Sequence, residues 1–441
     1  MTEEHFPSIP SKIPYLGPDS TDPLSYRFYN ADEEILGKKM KDWLRFSVCY
    51  WHTFRGRGLD PFGAPTMTRS WDDESNSIEN ALKRADAAFE LFSKLGVEYY
   101  TFHDRDVAPE GSSLAESNAN LDTVSDYLLK LQENYGIKLL WATQNLFSNP
   151  RYMNGAFTNP DAHVVAYAAA QTKKVIEVNH KLKGENLVFW GGREGYQSLL
   201  NTDVKRETDN MAAVFRMVVD YQAKIGNSAQ LLVEPKPREP TKHQYDYDAQ
   251  TTYAFLQHHN LQDHFKLNIE PNHTTLAGHA FEHDILFASK LGILGSIDSN
   301  TGDPLLGWDT DQFPMDVREA TMVMATVIEQ GGLGTGGLNF DCKVRRESTN
   351  DEDIFIGHIG AMDTFAKGLR IAAKMKEDGR LKEMVDSRYS SFLESDIGKQ
   401  LSTGTLSLED CEKFALENGE PEQKSGRQEL YEVVFNQYLS S

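Results

Sequence analysis

Eight short, β-rich apolar runs recur along this chain, each followed by a longer segment with helical spacing, and this alternation constrains the fold more than any other feature. The runs are Leu44–Trp51, Val97–His103, Lys138–Gln144, Asn186–Trp190, Gln230–Glu234, Phe265–Glu270, Ile293–Asp298 and Leu338–Asp341. Strand alternating with helix implies parallel strands, because a parallel neighbour is reached only through a crossover long enough to hold a helix. Eight such units close on themselves, so the expected fold class is α/β, a (β/α)8 TIM barrel.

Two of the intervening segments show the helical period clearly. Leu82, Ala85, Phe89 and Phe92 share one face, with Gly96 as the stop; Val317, Ala320, Met324 and Val327 do the same, with Pro314 near the start and Gly331 after the end. The chain has 441 residues, more than the roughly 250–300 that one hydrophobic core usually serves. The expected division is therefore a Pro-rich N-terminal extension over 1–43, the barrel over 44–378, and a mostly helical C-terminal arm over 379–441 suited to subunit contacts.

Charge excludes some functions. With 45 Lys and Arg against 66 Asp and Glu, the net charge is -21, which repels nucleic acid and anionic membrane surfaces. Cys49, Cys342 and Cys411 form no disulfide framework and have no metal spacing. The N-terminus lacks the apolar stretch of a signal peptide, and the expected compartment is the cytoplasm.

Several of the runs end in a residue that binds cations or protons: His103, Glu234, Glu270, Asp298 and Asp341, with Lys236 just beyond. Strand C-termini of a β/α barrel converge on one mouth, where active sites form. Four carboxylates gathered there repel one another, and divalent cations are the simplest remedy. Glu270 and His273 form a Glu-x-x-His pair, and Asp309 and Asp311 an Asp-x-Asp pair. A set dominated by carboxylates with one imidazole suits Mg²⁺, Mn²⁺ or Co²⁺. Each of these signals is bland alone: an Asp-x-Asp is usually a solvated turn, and a strand-terminal acid is often a helix N-cap. The joint pattern is what points to a metal site. The run Gly332–Gly337 fits G-x-G-x-x-G on paper but precedes a strand, so no dinucleotide site is read there.

The motifs resemble those of the xylose isomerase family, in its longer class II branch. Val233-Glu234-Pro235-Lys236-Pro237-Arg238-Glu239-Pro240 and the stretch Phe102–Gly111 resemble its two signatures, and Asn268–His273, Gly307–Pro314, Asp60–Gly63 and Gly337–Asp341 agree with it. The resemblance implies a metal-dependent aldose–ketose isomerase that interconverts D-xylose and D-xylulose, and less well D-glucose and D-fructose. Ring opening would precede a hydride shift between C2 and C1. It implies one ion on Glu234, Glu270, Asp298 and Asp341, and a second on Glu270, His273, Asp309 and Asp311. It makes His103 the ring-opening histidine, Asp106 the acid that orients it, and Lys236 the contact to O1 of the sugar. It places Trp51, Trp141 and Trp190 in the substrate pocket, and Phe62 where the family inserts a residue into a neighbouring subunit of a homotetramer. One departure is visible: Pro271 stands where the family commonly has a small residue, which puts the geometry before His273 in question. Barrel-type abasic-site endonucleases also carry metals at the mouth, but need more histidines and a basic face. A barrel that only binds sugar would leave His103, Asp106 and Lys236 without a task. A rhamnose or other aldose isomerase is the nearest competitor.

Overall fold

Strand and helix alternate eight times between Phe46 and Asp378 in the computed structural model, which describes residues 4–440. The strands are β1 (Phe46–Cys49), β2 (Tyr99–His103), β3 (Lys138–Thr143), β4 (Asn186–Trp190), β5 (Gln230–Glu234), β6 (Phe265–Ile269), β7 (Leu294–Asp298) and β8 (Leu338–Phe340). They pair in sequence order, all parallel, and β8 closes on β1 to complete the barrel. After each strand comes a helix: α1 (Ile78–Leu95), α2 (Leu114–Tyr135), α3 (Ala162–Lys181), α4 (Val204–Ile225), α5 (Ala249–His258), α6 (His283–Lys290), α7 (Val317–Gln330) and α8 (Asp351–Asp378). The TIM-barrel expectation holds.

Local chemistry explains the element ends. The Ser77 side chain accepts from the Asn80 N–H at the start of α1, and Gly96 ends that helix at φ +73°. Asp316 accepts from the Arg318 and Glu319 N–H groups at the start of α7, and Gly331 ends it at φ +90°. Such caps contribute about 1 kcal/mol each by satisfying orphan donors. Gly336 is required by close approach: a Cβ there would sit 1.8 Å from the Gly295 carbonyl oxygen. The glycine-rich run before β8 thus serves strand packing.

Strand bounds differ from the apolar runs at the first unit. Leu44 ends a helix, Met40–Leu44; Arg45 turns the chain at φ +41°; and Tyr50–Phe54 is already helical. A short continuous apolar run does not distinguish a buried strand from a buried helical turn. Glu270 and Asp341 likewise lie one residue past their strands, Glu270 as the N-cap of a short helix, Pro271–Leu276.

The barrel interior is apolar beneath and polar above. Tyr99, Leu140, Trp141, Val188 and Leu232 form one buried cluster, with Trp51 packed against it. Burying a side chain of this size contributes roughly 1.5–3 kcal/mol. The segment before β1 lies on the barrel's helical shell: Ile13 N–H bonds Lys94 O at 2.8 Å, Tyr26 Oη bonds Leu95 O at 2.7 Å, and the Asp363 carboxylate accepts the N–H groups of Arg27, Phe28 and Tyr29.

The structure divides into two compact units, the first ending at Gly368 and the second running from Leu369. Among the described residues the second unit's regular elements are all helices, Arg380–Arg388, Asp396–Thr403, Leu408–Asn418 and Gln428–Leu439 among them, and it exposes Leu393, Leu408 and Leu416. Among the described residues no helix is long and apolar enough to cross a membrane.

Candidate active site

Every strand from β5 to β8 delivers a carboxylate to the mouth: Glu234 and Asp298 as the last residues of β5 and β7, and Glu270 and Asp341 just after β6 and β8. All four are buried, Glu270 and Asp298 almost completely. They line one cavity of about 360 Å³ together with His273, Asp309, Asp311, Lys236, His103, Trp51, Trp141 and Trp190. Pocket size is in the range that holds small ligands.

Four asparagines hold these acids. Asn268 Nδ2 donates to Glu234 Oε2 at 2.8 Å, Asn300 Nδ2 to Glu270 Oε1 at 2.6 Å, and Asn339 Nδ2 to Asp298 Oδ1 at 2.8 Å; Asn272 donates to Asp309. Two of them follow from strand periodicity. Asn268 and Asn339 each precede an acid by two residues, so they point to the same inner face and serve the acid of the preceding strand. Asn339 Oδ1 in turn accepts from Ser47 Oγ and Thr101 Oγ1, both at 2.9 Å.

Crowding sets the electrostatics. Burial, then the charges of Asp298 and Asp341, pushes Glu234 well above the usual carboxylate range. Burial and the charges of Asp309, Asp341 and Glu234 do the same to Glu270. Asp298 is pushed up to about 8 by burial and by Asp341. Elsewhere side chains supply the missing positive charge. Burial disfavours the Asp309 anion, but Lys236, whose Nζ lies 2.7 Å from Oδ2, and His273 outweigh it and hold Asp309 well below its usual value. His52 Nε2 sits 3.2 Å from Asp311 Oδ2 and 3.1 Å from Asp341 Oδ1; burial opposes its charge, yet the two aspartates raise it to about 9. Lys343 Nζ bonds Asp311 Oδ2 at 2.7 Å.

These residues fit divalent cations. Glu270 Oε2 and Asp298 Oδ2 are buried with no hydrogen-bond partner among the described residues, a costly state for an anion unless a cation meets it. His273 Nδ1 lies 3.0 Å from the Pro235 carbonyl, which makes that nitrogen the donor. Its Nε2 then turns to Asp309 Oδ2 at 3.0 Å and Glu270 Oε2 at 3.2 Å. A ring lone pair facing two carboxylates needs a proton or an ion between them. Donor atoms that can share one ion fall into the sets Glu234/Glu270/His273, Glu270/Asp298/Asp341, Glu270/Asp309/Asp311 and His52/Asp311/Asp341. Glu270 belongs to three of these four. Asp311 is held at φ +44°, a left-handed conformation that aspartate tolerates, by the Lys343 and Arg345 bonds to its carbonyl.

Across the cavity the side chains change character. His103 ends β2, and its Nδ1 lies 2.8 Å from Asp106 Oδ2, which also accepts the His103 N–H at 2.9 Å. Trp51 stands 4.6 Å from His103 and 5.5 Å from Trp141, centroid to centroid, and its Nε1 donates to Asp341 Oδ1 at 2.8 Å. Phe147 packs on both His103 and Trp190, and Lys236 Nζ lies 5.3 Å from the Trp190 ring centre. Phe62 is placed apart from its sequence companions. It is 85% exposed, leans on Trp308 and does not line the cavity of its own chain, where Pro61 is found instead. Pro271 occupies the first helical position after Glu270, where its missing N–H would have been an orphan and its fixed φ suits the helix.

Sequence reasoning passed over His52, Lys343, Phe147 and the four asparagines. His52 and Phe147 carry no local motif, whereas Asn268 and Asn339 were detectable as the residues two before an inward acid.

The chain is 56% identical to a xylose isomerase of Rhodopirellula baltica, covering 98% of this chain and 99% of that one. It is 57% identical to a xylose isomerase of Arabidopsis thaliana over 98% and 90% of the two chains, and 52% identical to one of Thermotoga maritima over 99% and 98%. The chain belongs to the xylose isomerase family. Residues 385–439 match the family model described as the XylA2 C-terminal domain. Membership of the xylose isomerase family supports an aldose–ketose isomerase activity on a sugar. Among solved structures, an L-ribulose 3-epimerase aligns at a TM-score of 0.51 with 12% identity, over 75% of this chain and 96% of that one. A D-psicose 3-epimerase from Clostridium cellulolyticum aligns at 0.50 with 13% identity, over 74% and 99%. At that identity the likeness concerns the barrel alone.

Proposed function

We propose that this protein interconverts D-xylose and D-xylulose, and D-glucose and D-fructose less well, with two divalent ions at the mouth: Mg²⁺, or alternatively Mn²⁺ or Co²⁺. One ion would be held by Glu234, Glu270, Asp298 and Asp341, the other by Glu270, His273, Asp309 and Asp311. The observation that carries this reading is the placement of Glu270, which shares donor sets with both groups of acids and has a buried, unpartnered Oε2. When bound, the ions would supply Lewis-acid polarisation of the sugar carbonyl and stabilise the alkoxide charge that accompanies hydride movement from C2 to C1.

The chain's own side chains do the rest. Asp106 fixes the His103 ring through Nδ1, which leaves Nε2 to exchange a proton with the ring oxygen as the pyranose opens. Lys236, kept cationic by Asp309 and Glu270 despite its burial, donates to O1 of the open chain. Trp51, Trp141 and Trp190 wall the sugar and exclude water. The extra hydroxymethyl of a hexose must fit the same space, which lowers its turnover. The reading extends to a cytoplasmic homotetramer, in which Phe62 enters a neighbour's cavity and the 379–441 arm makes subunit contacts; the exposure of Phe62 supports it.

The deciding experiment strips divalent ions with a chelator and assays xylose isomerisation. Activity should vanish and return with Mg²⁺, Mn²⁺ or Co²⁺; full turnover in verified metal-free protein would sink the proposal.

A further inference from the structure

A second group of metal-type donors lies outside the barrel mouth, on the stretch that runs from His273 into α6. One donor atom each from His279, His283 and Asp284 lies within 4.8 Å of the others. Asp284 is 2% exposed. Its carboxylate accepts the Ala249 N–H through Oδ2 at 3.1 Å, while Oδ1 has no hydrogen-bond partner among the described residues. His283 Nε2 is also buried, has no hydrogen-bond partner among the described residues, and stands 4.0 Å from Asp284 Oδ1. Two unsatisfied polar atoms face each other at a separation too long for a hydrogen bond. Leaving both unmet is unfavourable for buried polar atoms. Bonds of about 2.0–2.2 Å from a cation to nitrogen and oxygen would bridge that gap with a small closing movement.

The surroundings support an ion. His279 Nε2 lies 3.0 Å from Asp248 Oδ2, and Asp248 Oδ1 is fixed in turn by the Thr251 N–H at the start of α5. A histidine oriented by a carboxylate through one ring nitrogen is set to offer the other to a metal. The His279 and His283 rings stack at 4.3 Å, so both imidazoles border the same space.

We propose that His279, His283 and Asp284 form a third cation site for a transition ion of the zinc type, with Asp248 as the carboxylate that positions His279. Two imidazoles and one carboxylate favour zinc over magnesium, the reverse of the carboxylate-rich mouth. The ion would tie the start of α6 to the loop that follows the Pro271–Leu276 helix.

The test uses full-length protein stripped by chelation, saturated with magnesium at the mouth, then equilibrated with micromolar zinc and desalted. Anomalous diffraction above the zinc edge should show a peak among His279, His283 and Asp284. Zinc content by mass spectrometry should fall by one equivalent per chain in the His279→Gln/His283→Gln variant. His279→Gln alone, at a partly exposed side chain, keeps the comparison available if the double variant fails to fold, and should lose the same equivalent. A water or empty density at that position, or equal zinc content in the wild type and a folded variant, overturns the proposal.

Discussion

The barrel mouth has two unlike halves. Strands β5 to β8 each present a carboxylate; asparagine amides steady Glu234, Glu270 and Asp298, Trp51 steadies Asp341, and Lys236, His52 and Lys343 supply opposing charge. Strands β1 to β4 present Trp51, His103, Trp141 and Trp190, with Phe147 filling the space between rings. The first half is electrostatically frustrated: its acids cannot all ionise without cations. The second is held by ring packing and the His103–Asp106 bond. The same backbone architecture thus supports charge stabilisation on one side of a ligand and proton exchange with water exclusion on the other.

The sharpest way to break this division is at Glu270. Glu270→Gln should empty both cation groups and lower kcat by on the order of 10³-fold or more, since the ions would supply several kcal/mol of charge stabilisation. Metal analysis alongside turnover checks it; two ions still bound would remove Glu270 as the shared ligand. On the other side, His103→Asn should lower kcat by about 10²–10⁴-fold while metal content stays at the wild-type level. Loss of metal in that variant would show that the halves are not separable.

A third prediction concerns what lies behind the acidic half. His358 is fully buried against Phe340 of β8 and Phe313, with Nδ1 2.8 Å from the Ile354 carbonyl. Burial pushes its pKa down to about 4, whereas an unfolded histidine titrates near about 6.5. The unfolded chain binds more protons in this interval. Stability is therefore unaffected by His358 above about pH 6.5 and declines as pH falls toward 4, by roughly 3 kcal/mol at most. Denaturant titrations at pH 7 and 4.5 should show His358→Leu losing that part of the acid sensitivity; an unchanged pH slope would exclude His358 as its source.

The smallest expected effect is at Asn268. Asn268→Ala removes the amide from Glu234 and should weaken cation affinity by about 10–100-fold, as for other residues that orient metal ligands. Calorimetric titration of metal into stripped protein measures this, and an unaltered affinity would mean that Glu234 needs no such partner.

Much of this arrangement was legible in the residues. The eight strands were visible because apolar runs and helical segments alternate, and the acids because so many runs end in one. Boundaries were less legible: Tyr50 and Trp51 read as strand but form a helical turn, since burial on all sides erases periodicity. His52 and Lys343 were not legible, because their pairing with Asp311 joins a short helix after β1 and a loop after β8 to a loop after β7, segments brought together only by barrel closure. Phe62, expected to enter a neighbouring subunit's site, projects into solvent within its own chain.

Asn339 gives the closure itself a chemical polarity. Its amide nitrogen serves Asp298 on β7 and its oxygen receives hydroxyls from β1 and β2. Reversing the amide would set oxygen against the Asp298 carboxylate and force both hydroxyls to turn from donating to accepting, so Asp298 fixes the orientation. The seam that completes the cylinder therefore also tunes an acid at the mouth. Any substitution that retunes that acid through residue 339 must at the same time preserve the joint between the last strand and the first.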